Sequence, residues 1–260
     1  MSILTPTPGS QAIYRINPVA KLAAAFVLSF ALILTIDWLS ATVALALESV
    51  LFFWAGLSAR QFWLRTIPIW IAAPTAGLTT LLYGRAAGHS YLEFGLVHVT
   101  DGSVALAAAT ALRVLAIGLP AVVLFVTIDP TDLADGLAQV WHLPSRFVLG
   151  ALAGLRLVGL FLDDWRSLEL ARRARGVGDR GRVRRLLSQA FALLVLSIRR
   201  GSKLATAMEA RGFGGETPRT WARDSAFGAR EVILIAIGAL IATAAITISV
   251  VFGTWNFIVG

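Results

Sequence analysis

Cysteine is absent from all 260 residues, which excludes a disulfide framework and any thiolate metal site. Histidine occurs only as His89, His98 and His142. These are too scattered for a metal-binding spacing, and each reads as a loop or interfacial residue, so no metal and no cofactor is expected. Charge is scarce as well. Charged residues make up 15% of the chain against 57% hydrophobic, with a mean hydropathy of +0.75. That balance excludes an ordinary soluble core and reads as an integral membrane protein. No G-x-x-x-x-G-K-[S/T] phosphate loop, no H-E-x-x-H and no G-x-S-x-G occurs, so nucleotide hydrolysis, zinc proteolysis and serine hydrolysis lack their usual motifs. Met1 to Gln11 is polar, without a basic stretch or a small-residue cleavage site, and no cleaved signal peptide is expected.

What is present is a series of apolar runs with unevenly spread charge. From Leu22 to Leu57 only Asp37 and Glu48 are charged. A straight helix of that length would be about 54 Å, too long for a hydrocarbon core of roughly 30 Å, so the run folds back. The turn is expected at Asp37-Trp38-Leu39-Ser40, giving spans at roughly 19–36 and 40–57. A third span at about 66–83 carries Pro68, Pro74 and Gly77, which predicts a kinked or broken helix. Gly84 to Gly102 is mixed and polar and is placed outside, while Ser103 to Thr127, interrupted by Arg113 and Pro120, is the fourth span. Pro130-Thr131-Asp132 suits a helix start. The last span runs from Val232 to about Phe252. Trp38, Trp63, Trp70 and Trp255 read as interfacial belt residues.

Net charge is +8, and of the 23 Lys and Arg, 17 lie between Asp129 and Arg230, with ten of the 15 acids. Flanked by apolar spans, this basic block reads as a cytoplasmic membrane face rather than a nucleic-acid surface. Arg15, Lys21, Arg60 and Arg65 join it inside when the N-terminus is cytoplasmic, leaving Arg85 outside. The cluster Arg172, Arg173, Arg175, Arg180, Arg182, Arg184 and Arg185 suits anionic membrane lipid. The predicted fold is all-α: about five transmembrane helices, with a cytoplasmic insertion of long amphipathic helices before the last. Residues 1–128 form a four-span region, 129–230 the insertion and 231–260 the final span. Within the insertion, the apolar runs Phe147–Leu162 and Leu186–Ile198 are short for a span.

The insertion contains a repeat. Ala171 to Gly178 follows the pattern A-x-x-A-R-G-apolar-G, and thirty-six positions later Ala207 to Gly214 follows it again. Leu152, Leu155, Val158 and Leu162 precede the first copy at helical spacing; Leu187, Leu194 and Ile198 precede the second. In each copy Arg faces the negative end of the helix and Gly supplies the left-handed residue that releases the chain. A plain C-cap accounts for one such ending; the duplication predicts two equivalent docking ends.

Two ionisable residues fall deep in the spans. Glu48 lies eight residues below Ser40 and Arg113 ten below Ser103, which puts both roughly 12–15 Å into the membrane. An unpaired charge there costs about 2.5–3.5 kcal/mol or more, so each should face the bundle interior and find relief: either the two pair and pin span two to span four, or Arg113 is satisfied by backbone carbonyls or water beside Pro120 and Glu48 stays protonated.

These residues resemble the transmembrane coupling subunit, or T component, of energy-coupling factor (ECF) transporters. Asn17-Pro18-Val19-Ala20-Lys21-Leu22 is similar to the family's D-P-x-x-K-L opening, with Asn for Asp. Thr100-Asp101-Gly102 leading to Arg113 resembles the start of its fourth span, and Pro130-Thr131-Asp132-Leu133 the start of its cytoplasmic region. Ala174-Arg175-Gly176 and Ala210-Arg211-Gly212 match the two Ala-Arg-Gly motifs that end its coupling helices. The resemblance implies that these six residues dock two ATP-binding-cassette ATPase subunits, that one substrate-binding S component sits on other apolar surfaces, and that the complex imports a vitamin or metal ion into a prokaryote. ATP hydrolysis then belongs to the partners, not to this chain. Two other classes fit less well. An integral-membrane enzyme acting on a phosphorylated or lipid substrate would need a D-G-x-x-A-R motif that neither Asp101-Gly102 nor Asp135-Gly136 continues. A stand-alone permease would show polar residues repeated along several spans.

Overall fold

The computed structural model describes residues 12–54, 59–84, 87–94, 97–176, 181–215 and 220–255. They form eight α-helices and one small hairpin. After a 3-10 turn at Ala12–Arg15 come α1 (Pro18–Ile33), α2 (Trp38–Trp54) and α3 (Ala59–Tyr83). Strands β1 (Ser90–Phe94) and β2 (Val97–Thr100) precede α4 (Asp101–Val126) and α5 (Pro130–Gln139). Then α6 (Ser145–Ala174), α7 (Arg182–Ala210) and α8 (Ala229–Val251) complete the chain. Its described residues divide into two compact units, one within 12–133 and 225–255, the other within 134–224.

Among the described residues, four helices are long and apolar enough to cross a membrane: Phe62–Tyr83, Asp101–Val126, Ser145–Ala174 and Ala229–Val251. Pro18–Ile33 and Trp38–Phe52 are shorter apolar helices. By length and composition α6 therefore qualifies as a span, which the reading of Phe147–Leu162 as too short did not anticipate. That run is the first half of one uninterrupted 30-residue helix. Nor is α3 broken: Pro68 and Pro74 both lie inside a single 25-residue helix. Each proline removes one N–H donor, and the ladder continues around it.

In the larger unit, α1, α2, α4 and α8 close around Leu28, Leu32, Ala44, Ala116, Ile241 and Ala245, all buried. Half of these are alanine, because helices without a hydrophobic drive to associate gain most from close backbone contact. Gly238 shows how close: a Cβ there would stand 3.1 Å from the Ala24 carbonyl oxygen of α1. Local chemistry sets the helix starts. Asn17 Oδ1 accepts from the Val19 amide at 3.0 Å to begin α1, and Asp129 Oδ1 accepts from the Thr131 amide at 2.7 Å to begin α5.

The hairpin pairs Phe94 with Val97 and Ser90 with Thr100, and it runs directly into α4. Thr100 and Ser103 form a reciprocal capping box, and the next residue, Asp101, accepts from Tyr91 Oη at 2.7 Å. That bond holds the Tyr91 phenol above its ordinary pKa.

Where α1 gives way to α2, a polar cluster is buried. Asp37 accepts from the Ser40 amide at 2.8 Å and from Ser249 Oγ at 2.6 Å, and Thr35 Oγ1 lies 3.2 Å from Ser40 Oγ. At 16 residues α1 is about 24 Å long, short of a roughly 30 Å hydrocarbon layer. Its end must therefore be satisfied by protein groups.

Candidate functional site

The repeated pattern ends both long helices of the smaller unit in the same geometry. α6 ends at Ala174; Arg175 follows at φ −87°, ψ 5°, and Gly176 at φ 67°. α7 ends at Ala210; Arg211 follows at φ −92°, ψ 12°, and Gly212 at φ 75°. The hydrogen bonds close the second end as a Schellman motif, with the Gly212 amide on Glu209 O at 2.9 Å and the Phe213 amide on Met208 O at 2.9 Å. At the first end the Gly176 amide reaches Arg173 O at 3.0 Å. Val177 to Arg180 lie outside the described residues. A Cβ added to Gly176 or Gly212 would meet nothing within 4 Å, so it is the left-handed backbone, not crowding, that calls for glycine.

All six residues, Ala174, Arg175, Gly176, Ala210, Arg211 and Gly212, are exposed. Among the described ion pairs, none involves Arg175 or Arg211. Each guanidinium is thus offered outward from a rigid, capped helix end, in a form that suits a carboxylate or carbonyl partner.

Polar contacts set the relation of the two helices. Arg200 of α7 grips Asp164 of α6 with both nitrogens, at 2.5 and 3.4 Å, and Arg172 Nη2 donates to Ser188 Oγ at 2.7 Å. The beginning of α7 therefore lies against the end of α6, and the helices run antiparallel. From Ser188 to Arg211, α7 then extends about 35 Å at 1.5 Å per residue. The two Ala-Arg-Gly ends face away from each other at opposite ends of the pair.

The second end opens on a cavity of about 650 Å³. Arg211, Gly212 and Gly214 meet the approach to α6 there, namely His142, Ser145 and Arg146, with Trp221 beside them. Among the described residues no carboxylate lines it, and α6 starts without a side-chain cap, so two guanidiniums and a positive helix end share one opening. Arg146 also lies 4.9 Å over the Phe147 ring. His142, at φ 53°, turns the chain into this wall. Sequence reasoning did not find His142, Arg146 or Trp221; they stand more than sixty residues from Arg211, or beyond it, with no shared pattern. Beneath the cavity, Ala134, Ala138 and Val148 form a small core against Trp221.

Long apolar side chains stay uncovered along both helices. Leu187, Phe191, Leu194 and Ile198 form one stripe on α7, and Leu155, Val158 and Leu162 another on α6, each about half to two-thirds exposed.

Glu48 and Arg113 are not brought together. Arg113 donates from Nε to Leu32 O and from Nη2 to Ile33 O, both at 2.9 Å, and the acid whose charge reaches it is Asp37. Glu48 is 1% exposed, and neither carboxyl oxygen has a hydrogen-bond partner. The expected pair is thus corrected. The last carbonyls of the short helix α1 carry the negative end of its dipole, and they satisfy the guanidinium without a carboxylate.

The family model for the cobalt transport protein CbiQ matches residues 9–221. Among known relatives, the energy-coupling factor transporter transmembrane protein EcfT of Limosilactobacillus fermentum is 26% identical over 257 residues, covering 88% of this chain and 92% of its own. Its namesake from Bacillus selenitireducens is 28% identical over 251 residues, 91% and 92% of the two chains. That from Listeria innocua is 28% identical over 236 residues, 82% and 84%.

Proposed function

The chain belongs to the cobalt transport protein (CbiQ) family, and from that premise we propose that its two Ala-Arg-Gly helix ends are where two ATP-binding-cassette ATPase subunits take hold. It is a multi-pass membrane protein and the transmembrane T component of an energy-coupling factor transporter. The observation that carries the proposal is the duplicated helix ending, with matched backbone angles and an exposed arginine at each tip that enters no ion pair among the described residues. Two ends some 35 Å of helix apart suit two copies of one kind of partner. At the second tip, the basic cavity suits an acidic side chain of the ATPase.

The uncovered stripes of α6 and α7 then serve the substrate-binding S component, one copy per complex, and the surrounding lipid. Fitting them to an apolar partner removes from water side chains that are now half exposed or more. ATP hydrolysis is assigned to the partners, the N-terminus and the helix ends to the cytoplasm of a prokaryote, and the cargo to the vitamins and metal ions such complexes import. The test is charge reversal. Arg175→Glu and Arg211→Glu should each weaken co-purification with the ATPases by about 2–5 kcal/mol of contact energy, with folded yield unchanged. Full association of R175E/R211E would reduce both arginines to helix caps.

A further inference from the structure

The chain leaves the membrane unit for the insertion after Leu133 and returns to it at Ser225, and one turn of α1 holds the membrane-unit segment just before the first crossing, at Thr127, and just after the second, at Ser225. Lys21 is 1% exposed, and its Nζ donates to Thr127 O and Thr127 Oγ1, both at 3.0 Å. Thr127 is the C-cap of α4, so the ammonium sits on the negative end of that helix; Asp132, just inside α5, is the acid whose charge reaches it. Four residues earlier, Asn17 Nδ2 donates to Ser225 Oγ at 2.8 Å and to Ala226 O at 2.9 Å. The Asn17 amide in turn donates to Glu231 Oε1 at 3.2 Å, and Glu231 Oε2 receives the Gly228 amide at 2.9 Å to start α8. Three helix ends thus meet at one buried polar knot, with the outgoing and the returning strand of the insertion tied to it.

A buried ammonium adds less stability than an apolar side chain of the same size would, whereas it fixes partners and register. We propose that Asn17 and Lys21 are positioning residues for energy coupling: their turn clamps both stems of the insertion, so that movement of α6 and α7 is delivered to the membrane helices instead of being absorbed at the junctions. This rests on the coupling role proposed above. A clamp of this kind keeps its contacts throughout the cycle, whereas a hinge would break them.

The experiment uses the complex purified with its ATPases, with hydrogen exchange followed with and without ATP plus vanadate. In the wild type, exchange should change at residues 171–175 and 207–213 and also within α1 and α4, while residues 127–133 and 225–228 stay protected in both states. In Lys21→Met the change at the helix ends should persist, and that in α1 and α4 should shrink by about fivefold or more, as expected when a coupling element is cut. Lys21→Arg should restore it, since a guanidinium can reach the same acceptors. Ser225→Ala, which removes one of the two acceptors of Asn17, should give an intermediate loss. Opening of either stem in one nucleotide state would overturn the clamp, as would Lys21→Met with the α1 and α4 response intact. If Lys21→Met fails to fold, stem protection in the wild type and the Ser225→Ala response still decide. Absence of ATPases from the wild-type preparation would instead defeat the coupling role itself.

Discussion

Two glycines of the α7 segment should respond to alanine with opposite signs. Gly201 lies inside the helix and Gly212 just past its end, and at neither would a Cβ meet any atom within 4 Å. Packing therefore cancels from the comparison, and only backbone conformation is left. Gly212 is held at φ 75°, where an L-residue pays about 1–2 kcal/mol. Gly201 has ordinary helical geometry, and alanine there should stabilise by about 0.5–1 kcal/mol through the entropy of the unfolded chain. The Gly212 and Phe213 amides report on the cap directly, since they bond Glu209 O and Met208 O. With RT near 0.59 kcal/mol, a loss of about 1 kcal/mol corresponds to roughly fivefold faster exchange at these amides in Gly212→Ala. Gly201→Ala should slow exchange along α7 by a smaller factor. Gly212→Asn should fall between Gly212→Ala and the wild type, because asparagine tolerates the left-handed region. Equal effects of alanine at 201 and 212, or slower exchange in Gly212→Ala, would refute the assignment of Gly212 to a conformational role.

Other consequences are simpler to state. Glu48→Met should keep or raise the thermal stability of the detergent-solubilised protein, because it removes a buried carboxyl that has no partner. Arg113→Met should lower it by about 1–3 kcal/mol, since the Leu32 and Ile33 carbonyls lose their donor; the swap E48R/R113E should rescue neither, and a rescue would reinstate the pair. A single cysteine at Ser90 should label from outside and one at Ser188 only after permeabilisation, in a chain that has no cysteine of its own. External labelling at Ser188 would overturn the cytoplasmic placement of α7.

Features decided by local chemistry were legible in the sequence. Arg-Gly after a helical run announced both caps, because the left-handed residue and the closing hydrogen bonds all lie within six residues. Pro130 with Thr131 and Asp132 announced α5 for the same reason, and the structure adds the Asp129 cap. The hairpin Ser90–Thr100 was passed over, although Gly95 stands between two short runs of strand-forming residues. The pairing of Glu48 with Arg113 failed for a different reason. Residue counting from a turn gives depth but not neighbours, so it left the pair and relief by backbone carbonyls both open, and the guanidinium found carbonyls that exist because α1 stops at Ile33. The clamp was beyond reach, since Lys21 and Asn17 meet partners 106 and 208 residues away. So was the cavity beside Arg211, which forms only when α6 and α7 fold back on each other.

The central claim is that each Ala-Arg-Gly end meets its own ATPase, and cross-linking from the tips tests it most directly. Ala174→Cys and Ala210→Cys place single thiols beside the two arginines, at positions that are exposed. In native membranes containing the whole transporter, a short photoactivatable reagent on either thiol should capture an ATPase polypeptide, and the doubly labelled chain should capture two in one complex. Capture of an ATPase from one tip only, or of lipid alone from both, would contradict the account.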